Sequence, residues 1–188
     1  LLFQESSPRF RLPKYSTSYV MIRISRWVPS LIGETYEKDK IDFDGTAKIE
    51  LFDADRNKIS EENVEKHAEF RVLNPVLWNA ENPYLYTMTI ETKEDKIETY
   101  FALRTIEIKE VDGIRRVLLN GKPIFMHGLL DQGYYSDGIY LPAEPEEYER
   151  DILRMKELGF NMLRKHIKVE LDRWYYHCDR LGMLVWQD

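Results

Sequence analysis

The chain predicts an antiparallel β-sandwich that runs into the first α–β units of a parallel sheet. Three observations carry this. Residues 17 to about 126 hold short runs rich in β-branched and aromatic residues, separated by turn chemistry. From about residue 143 the apolar spacing changes to that of amphipathic helices. The order helix, Leu-Gly, apolar strand then occurs twice, as "ELGFNML" and "RLGMLVW". Consecutive units of that kind belong to a parallel sheet, either open or closed into a barrel.

In the first half, "SYVMIRIS" (18–25) and "GTAKIELFD" (45–53) alternate well enough to be strands, and "ADRNKI" supplies a turn after the second. "ISEENVEKHA" (59–68) is read as a loop despite a trace of helical spacing. "HAEFRVL" (67–73), "LYTMTIET" (85–92) and "KIETYFALRTIEIKE" (96–110) continue the strand pattern, broken by "NPVLWNAENP" and "KED". In "RVLLNGKPIFM" (116–126), Asn120-Gly121 lies between two apolar runs. Both residues accept positive φ, so the stretch predicts a tight hairpin.

The second half opens with "EPEEYERDILRMKELG". Pro145 stands near the first helical position, glutamates fill the first turn and Gly159 closes the helix. Tyr148, Ile152, Met155 and Leu158 make its apolar face. "FNMLRKH" is a short strand ending in cations. "ELDRWYYHCDRLG" is a second helix with Leu171, Trp174, Tyr175, Cys178 and Leu181 on its buried side, and "MLVWQD" is a further strand.

Of the 188 residues, 43% are hydrophobic and 32% charged, which suits a globular protein with a real core. The net charge of -6 is spread along the chain without a basic stripe, which argues against nucleic acid as a partner. No apolar run reaches the roughly 18 residues of a membrane-spanning helix, so no membrane partner is expected, and no signal peptide is visible. The chain begins at Leu1, so an excised or processed segment is expected, and the compartment stays open. Cys178 has no partner cysteine and reads as a buried helix residue. The four histidines show no ligand spacing and no glycine-rich phosphate loop is present, so neither a metal nor another cofactor is expected.

"NPYLYTMTIET", "FALRTIEIK", "LLNGKPIFMHGLLDQ", "DILRMKELGFNMLRKH" and "YYHCDRLGMLVWQD" occur in an order that resembles glycoside hydrolase family 2, the family of β-galactosidases, β-glucuronidases and β-mannosidases. The resemblance implies an immunoglobulin-like sandwich (1–115) followed by the truncated start of a (β/α)8 TIM barrel (116–188). It implies part of a retaining β-glycosidase, β-galactosidase-like, acting on an oligosaccharide or other β-glycoside. The rival reading is a non-catalytic carbohydrate-binding or interaction module. Family members carry the acid/base glutamate after the fourth barrel strand and the nucleophile near the seventh. Here "PIFMHGLL", "FNMLRKH" and "GMLVWQD" count as the first three, so both catalytic glutamates are expected beyond residue 188. The chain alone is then expected to be inactive, and its unclosed strand edges to promote self-association.

The resemblance places five residues at the substrate mouth, since barrel strands present their carboxyl ends to substrate. Arg164 either shapes the sugar site or forms a structural ion pair. His166 either contacts substrate or is held by a backbone carbonyl. Trp186 either packs a pyranose face or fills the helix layer. Asp188 either binds hydroxyls or frays as the last residue. Asp131, at the start of "DQGYYSDGIY", stands where family members often contact substrate. His127 reads as structural.

Overall fold

The computed structural model describes residues 21–25, 38–93 and 95–188. They fall into two compact units. Among the described residues, one comprises those from 21 to 77 together with Tyr84–Leu103; the other comprises Trp78–Pro83 and Arg104–Asp188.

The first unit is a five-stranded antiparallel sheet. Its strands are β1 (Met21–Ser25), β2 (Lys38–Phe52), β3 (Lys58–Arg71), β4 (Tyr86–Thr92) and β5 (Lys96–Phe101). The order is β1-β2-β4-β5, and β3 pairs along the other side of β2. Residues 18–20 of the first expected strand lie outside the described residues. Alternation does the sorting within the sheet. Ala47, Ile49 and Leu51 of β2, Tyr86, Met88 and Ile90 of β4, and Phe101 form a buried cluster with Val72 and Leu103. Each large side chain there contributes roughly 1.5–3 kcal/mol relative to exposure. Tyr86 stacks on Phe101 at 5.2 Å between ring centres. The turn after β2 is held by Asp53, whose Oδ1 accepts the amides of Asp55 and Asn57 at 2.9 and 2.8 Å, with Arg56 at φ 65.

One element departs from the sequence reading. Residues 59–68, expected as a loop, lie within β3. The strand is polar because it is an edge: Lys58, Glu61 and Glu62 face water, and charge on an edge discourages further pairing. Local composition hides such a strand, and only its ladder with β2 reveals it.

Glu50 and Glu61 stand opposite each other across that ladder, a like-charge pair that two lysines neutralise. Lys58 Nζ lies 2.7 Å from Glu50 and 2.5 Å from Glu61; Lys48 Nζ lies 3.1 and 3.3 Å from them. Hydrogen bonds from Lys58, then Lys48, hold the Glu50 carboxyl at about 2. The folded value is below the unfolded one, so this contribution to stability is complete above the ordinary glutamate range and is lost as pH falls toward about 2. A side-chain carbon NMR titration is expected to place the Glu50 midpoint near 2. Lys58→Met should return it toward the ordinary value of about 4.3. An unmoved midpoint in the variant would assign the shift to something other than this pair.

The second unit contains two small sheets and two helices. Antiparallel strands β6 (Ile106–Val111), β7 (Ile114–Leu119) and β8 (Lys122–Pro123) form the first sheet. Asn120 and Gly121, at φ 52 and 74, make the expected hairpin turn. The second sheet is parallel, in the order β11-β10-β9, from β9 (Gly128–Asp131), β10 (Met162–Lys165) and β11 (Leu184–Gln187). Helix α1 (Glu146–Glu157) connects β9 to β10, and α2 (Asp172–Leu181) connects β10 to β11.

Pro145 precedes the first turn of α1, where Glu146, Glu147 and Glu149 complement the helix dipole, and Gly159 leaves at φ 88. Tyr148 and Ile152 are buried with Leu163, Trp174, Cys178 and Met183, and Met155, Tyr175 and Leu181 pack at the margin. Leu158 and Leu171, expected on the buried faces, are 67% and 55% exposed. Both are cap residues outside the helical turns, so the face periodicity does not extend to them. Burial pushes the Cys178 thiol well up, as befits a core residue.

Two features tie this unit together. Ile106, Val117, Leu118, Leu119 and Ile124 of the hairpin region line a cavity of about 20 Å³ with Met162, Leu184 and Val185. The hairpin thus closes the amino ends of β10 and β11. Trp78, fully buried, donates its indole N–H to the Asp179 carbonyl at 2.7 Å, and its own carbonyl accepts from Asn120 at 2.9 Å. The Arg104 guanidinium lies 4.4 Å from the Trp78 ring centre and pairs with Asp179 at 2.9 Å.

Candidate functional site

With the amino ends of the strands closed, the carboxyl ends of β9, β10 and β11 are the place to look for chemistry. Parallel pairing sets Leu130, Arg164 and Trp186 side by side. Leu163 and Val185, one residue away, pack toward the helices, so Arg164 and Trp186 share the opposite face. Trp186 therefore does not fill the helix layer.

Arg164, His166 and Asp188 come together there. Arg164 donates to both carboxylate oxygens of Asp188, Nε at 3.2 Å and an Nη at 2.9 Å. His166 Nδ1 lies 2.6 Å from Asp188 Oδ2. The guanidinium first, and the imidazole second, hold the Asp188 carboxyl below its ordinary value. It is therefore an acceptor only, fixed in a fork of donors. Its backbone N–H also donates to the Lys165 carbonyl at 3.1 Å, so the residue is anchored rather than frayed. The three side chains remain partly open to solvent. They form a polar edge of donors and a carboxylate, with Trp186 the register neighbour of Arg164 on the next strand.

Asp131 lies apart from this group. Its register partner is Lys165, whose side chain points to the helix layer, and the two form an ion pair at 3.1 Å. Its other oxygen accepts the Gly133 amide at 2.7 Å. Strand alternation turns it to the face opposite Arg164. His127 is held by Gly159 and the Asn161 side chain, as a structural histidine would be.

Beneath the cluster runs a buried network that sequence reasoning does not pick out. Lys165 and Lys168 both reach Glu170 Oε1, at 2.6 and 2.9 Å. Lys165 also lies 4.5 Å from the centre of the Trp174 ring. Tyr175 donates to Gln187 Oε1 at 2.6 Å, and the Gln187 amide donates to the Lys168 carbonyl at 3.1 Å. Burial, reinforced by Glu170, pushes the Tyr135 and Tyr148 hydroxyls up. The one signal in the sequence is "RKHIKVE", charges of both signs where a strand leaves the core. Among the described residues no group of three or more His, Cys, Asp or Glu could hold a metal ion, and no helix is long and apolar enough to cross a membrane.

Residues 32–104 match the family model described as glycosyl hydrolases family 2. A β-galactosidase of Oenococcus oeni is 36% identical over 124 residues, which is 63% of this chain and 12% of that protein. One from Vibrio vulnificus is 29% identical over 164 residues, 81% of this chain and 15% of that protein. The chain thus spans a small part of the length of these relatives. Among solved structures, Parabacteroides merdae β-glucuronidase superposes with a TM-score of 0.74 at 24% identity, covering 89% of this chain and 23% of that one. Bifidobacterium dentium β-glucuronidase, in a complex with coumarin-3-O-glucuronide, gives 0.76 at 19% identity, covering 90% and 30%. At these identities the superpositions speak to the fold. The matched β region, the relatives and the common architecture together make the chain similar to members of glycosyl hydrolases family 2.

Proposed function

We propose that this chain is part of a retaining β-glycosidase and that its share of the work is to hold the sugar. The observation that carries the reading is the cluster of Arg164, His166 and Asp188 beside Trp186, at the carboxyl ends of three parallel strands. In this reading residues 1–115 correspond to the immunoglobulin-like domain and 116–188 to the opening of a TIM barrel, with 104–115 packed on the barrel side. Asp188 accepts from a sugar hydroxyl, Arg164 and His166 fix that carboxylate and donate to neighbouring oxygens, and Trp186 packs the apolar face of the pyranose. Asp131 acts through Lys165 rather than on the sugar itself. The two carboxyl groups of a retaining mechanism stand about 5 Å apart across the glycosidic bond, one as nucleophile and one as acid/base. Both are supplied by the protein beyond these residues. The outer edges of β9 and β11, which pair with no other described strand, make the isolated chain self-associate.

The test uses nitrophenyl β-galactoside, β-glucuronide and β-mannoside. The 188-residue chain gives no turnover above a blank. In the longer protein that continues into the rest of the barrel, Arg164→Ala lowers kcat/KM by about 10- to 100-fold, the worth of a charged hydrogen bond. Its stability falls by less than about 1 kcal/mol, because the Arg164–Asp188 pair is solvent-exposed. Turnover by the chain alone would overturn the expectation that its catalytic carboxylates lie elsewhere. A stability loss of about 3 kcal/mol with kcat/KM unchanged would make Arg164 structural.

A further inference from the structure

Lys168 is 4% exposed, and its ammonium is held by two carbonyls and a carboxylate. Hydrogen bonds go to the Gly133 carbonyl at 2.7 Å and to the Tyr140 carbonyl, and Glu170 Oε1 stands 2.9 Å away as the ion-pair partner. The first two acceptors belong to the loop that follows β9, whereas Lys168 itself follows β10. Gly133 sits tightly against the buried charges. A Cβ at Gly133, φ 64, would stand 2.2 Å from Glu170 Oε1 and 2.7 Å from Lys165 Nζ.

Strain flanks the same bonds. Ile139 precedes Tyr140 at φ 59, and Ile167 precedes Lys168 at φ 68. Positive φ in a β-branched residue is unfavourable and persists only where its surroundings enforce it. Neither isoleucine is held by burial, at 70% and 80% exposed, so packing of their side chains does not explain the strain. Each is the centre of a γ-turn, closed by the Tyr140 N–H on the Gly138 carbonyl and by the Lys168 N–H on the His166 carbonyl, both at 2.7 Å, and the Lys168 ammonium bonds the Tyr140 carbonyl just beyond the first of them. Ile167 in turn follows His166, whose backbone N–H donates to the Asp131 carbonyl at 2.9 Å and whose ring meets Asp188.

We propose that Lys168 is a positioning residue: it binds the 131–141 loop to the turn after β10 and thereby sets where His166 meets Asp188. The proposal rests on the glycosidase reading for what the cluster binds, but the tie itself is open to a test without activity. Lys168→Met keeps the length of the stem and removes the ammonium. Lys168→Met/Glu170→Gln removes one charge of each sign, so it preserves the charge balance around Lys165 and Asp131. In the 188-residue chain, amide hydrogen exchange at Tyr135 and Ile139, which bond each other's carbonyls at 2.9 Å, is expected to quicken about tenfold or more in both variants. Exchange at Leu163 in β10 stays as it was. In the longer protein, KM for the nitrophenyl glycoside it hydrolyses rises about tenfold with kcat changed less than about twofold, the mark of lost binding geometry.

Unchanged exchange at Tyr135 and Ile139 would overturn the proposal, and so would exchange restored by the double variant, since Lys168 would then serve charge balance alone. Faster exchange with KM unmoved would also overturn it, because the loop would be tied without serving the cluster. If Arg164→Ala still lowers kcat/KM in that case, the glycosidase reading survives. If Arg164→Ala has no effect either, that reading fails as well.

Discussion

Glu170→Ala is expected to lower the unfolding free energy by about 3–5 kcal/mol, the cost of removing one partner from a buried ion pair. Its Oε1 is the shared counter-charge of two buried ammonium groups, Lys165 at 2.6 Å and Lys168 at 2.9 Å. Without it, Asp131 at 3.1 Å from Lys165 is the remaining carboxylate in contact with them, and a cation is left in a space walled by Trp174 and Tyr140. The network is balanced, so the expected order is informative. Lys168→Met/Glu170→Gln, which keeps one lysine against one aspartate, should lose less than Glu170→Ala. Urea unfolding of the Arg104–Asp188 unit, followed by tryptophan fluorescence, reads both. Equal losses would mean that packing volume rather than charge governs the site.

Trp78→Ala is expected to cost a similar amount, about 3–5 kcal/mol, for loss of a large aromatic from a packed site. The side chain is fully buried although it comes from a connection between two strands of the other unit. Its removal also takes the donor from the Asp179 carbonyl and the ring from beneath Arg104. Trp78→Phe keeps most of the volume and lacks the N–H. It should lose about 1–3 kcal/mol, mostly for the carbonyl left unpaired. Unfolding of the Arg104–Asp188 unit by urea is again the measurement. A loss below about 1 kcal/mol for Trp78→Ala would mean that the segment rests on the unit without stabilising it.

The amino-acid pattern alone specifies the change from strand to helical spacing, the Asn120-Gly121 hairpin, both helices with their glycine exits, and the succession of β9, α1, β10, α2 and β11. All of these rest on local chemistry: alternation, a 3.6-residue spacing, positive φ at particular residues. It also placed Arg164, His166, Trp186 and Asp188 at strand ends, because each ends an apolar run.

The remaining features depend on partners far away in the chain. The first part of the strand at Lys58–Arg71, before the expected run at 67–73, exists through its ladder with β2, since a polar edge carries no apolar stripe to announce it. Asp131 turned away from the cluster because register with Lys165, rather than its nearness to a strand end, fixed its face. Trp78 left its neighbours in sequence to pack beside Arg104 and Asp179. The buried Lys165, Lys168 and Glu170 read in one dimension as ordinary surface charges. They are tolerated inside because three-dimensional packing brings opposite charges and carbonyls within bonding distance, and a linear pattern contains no such distances.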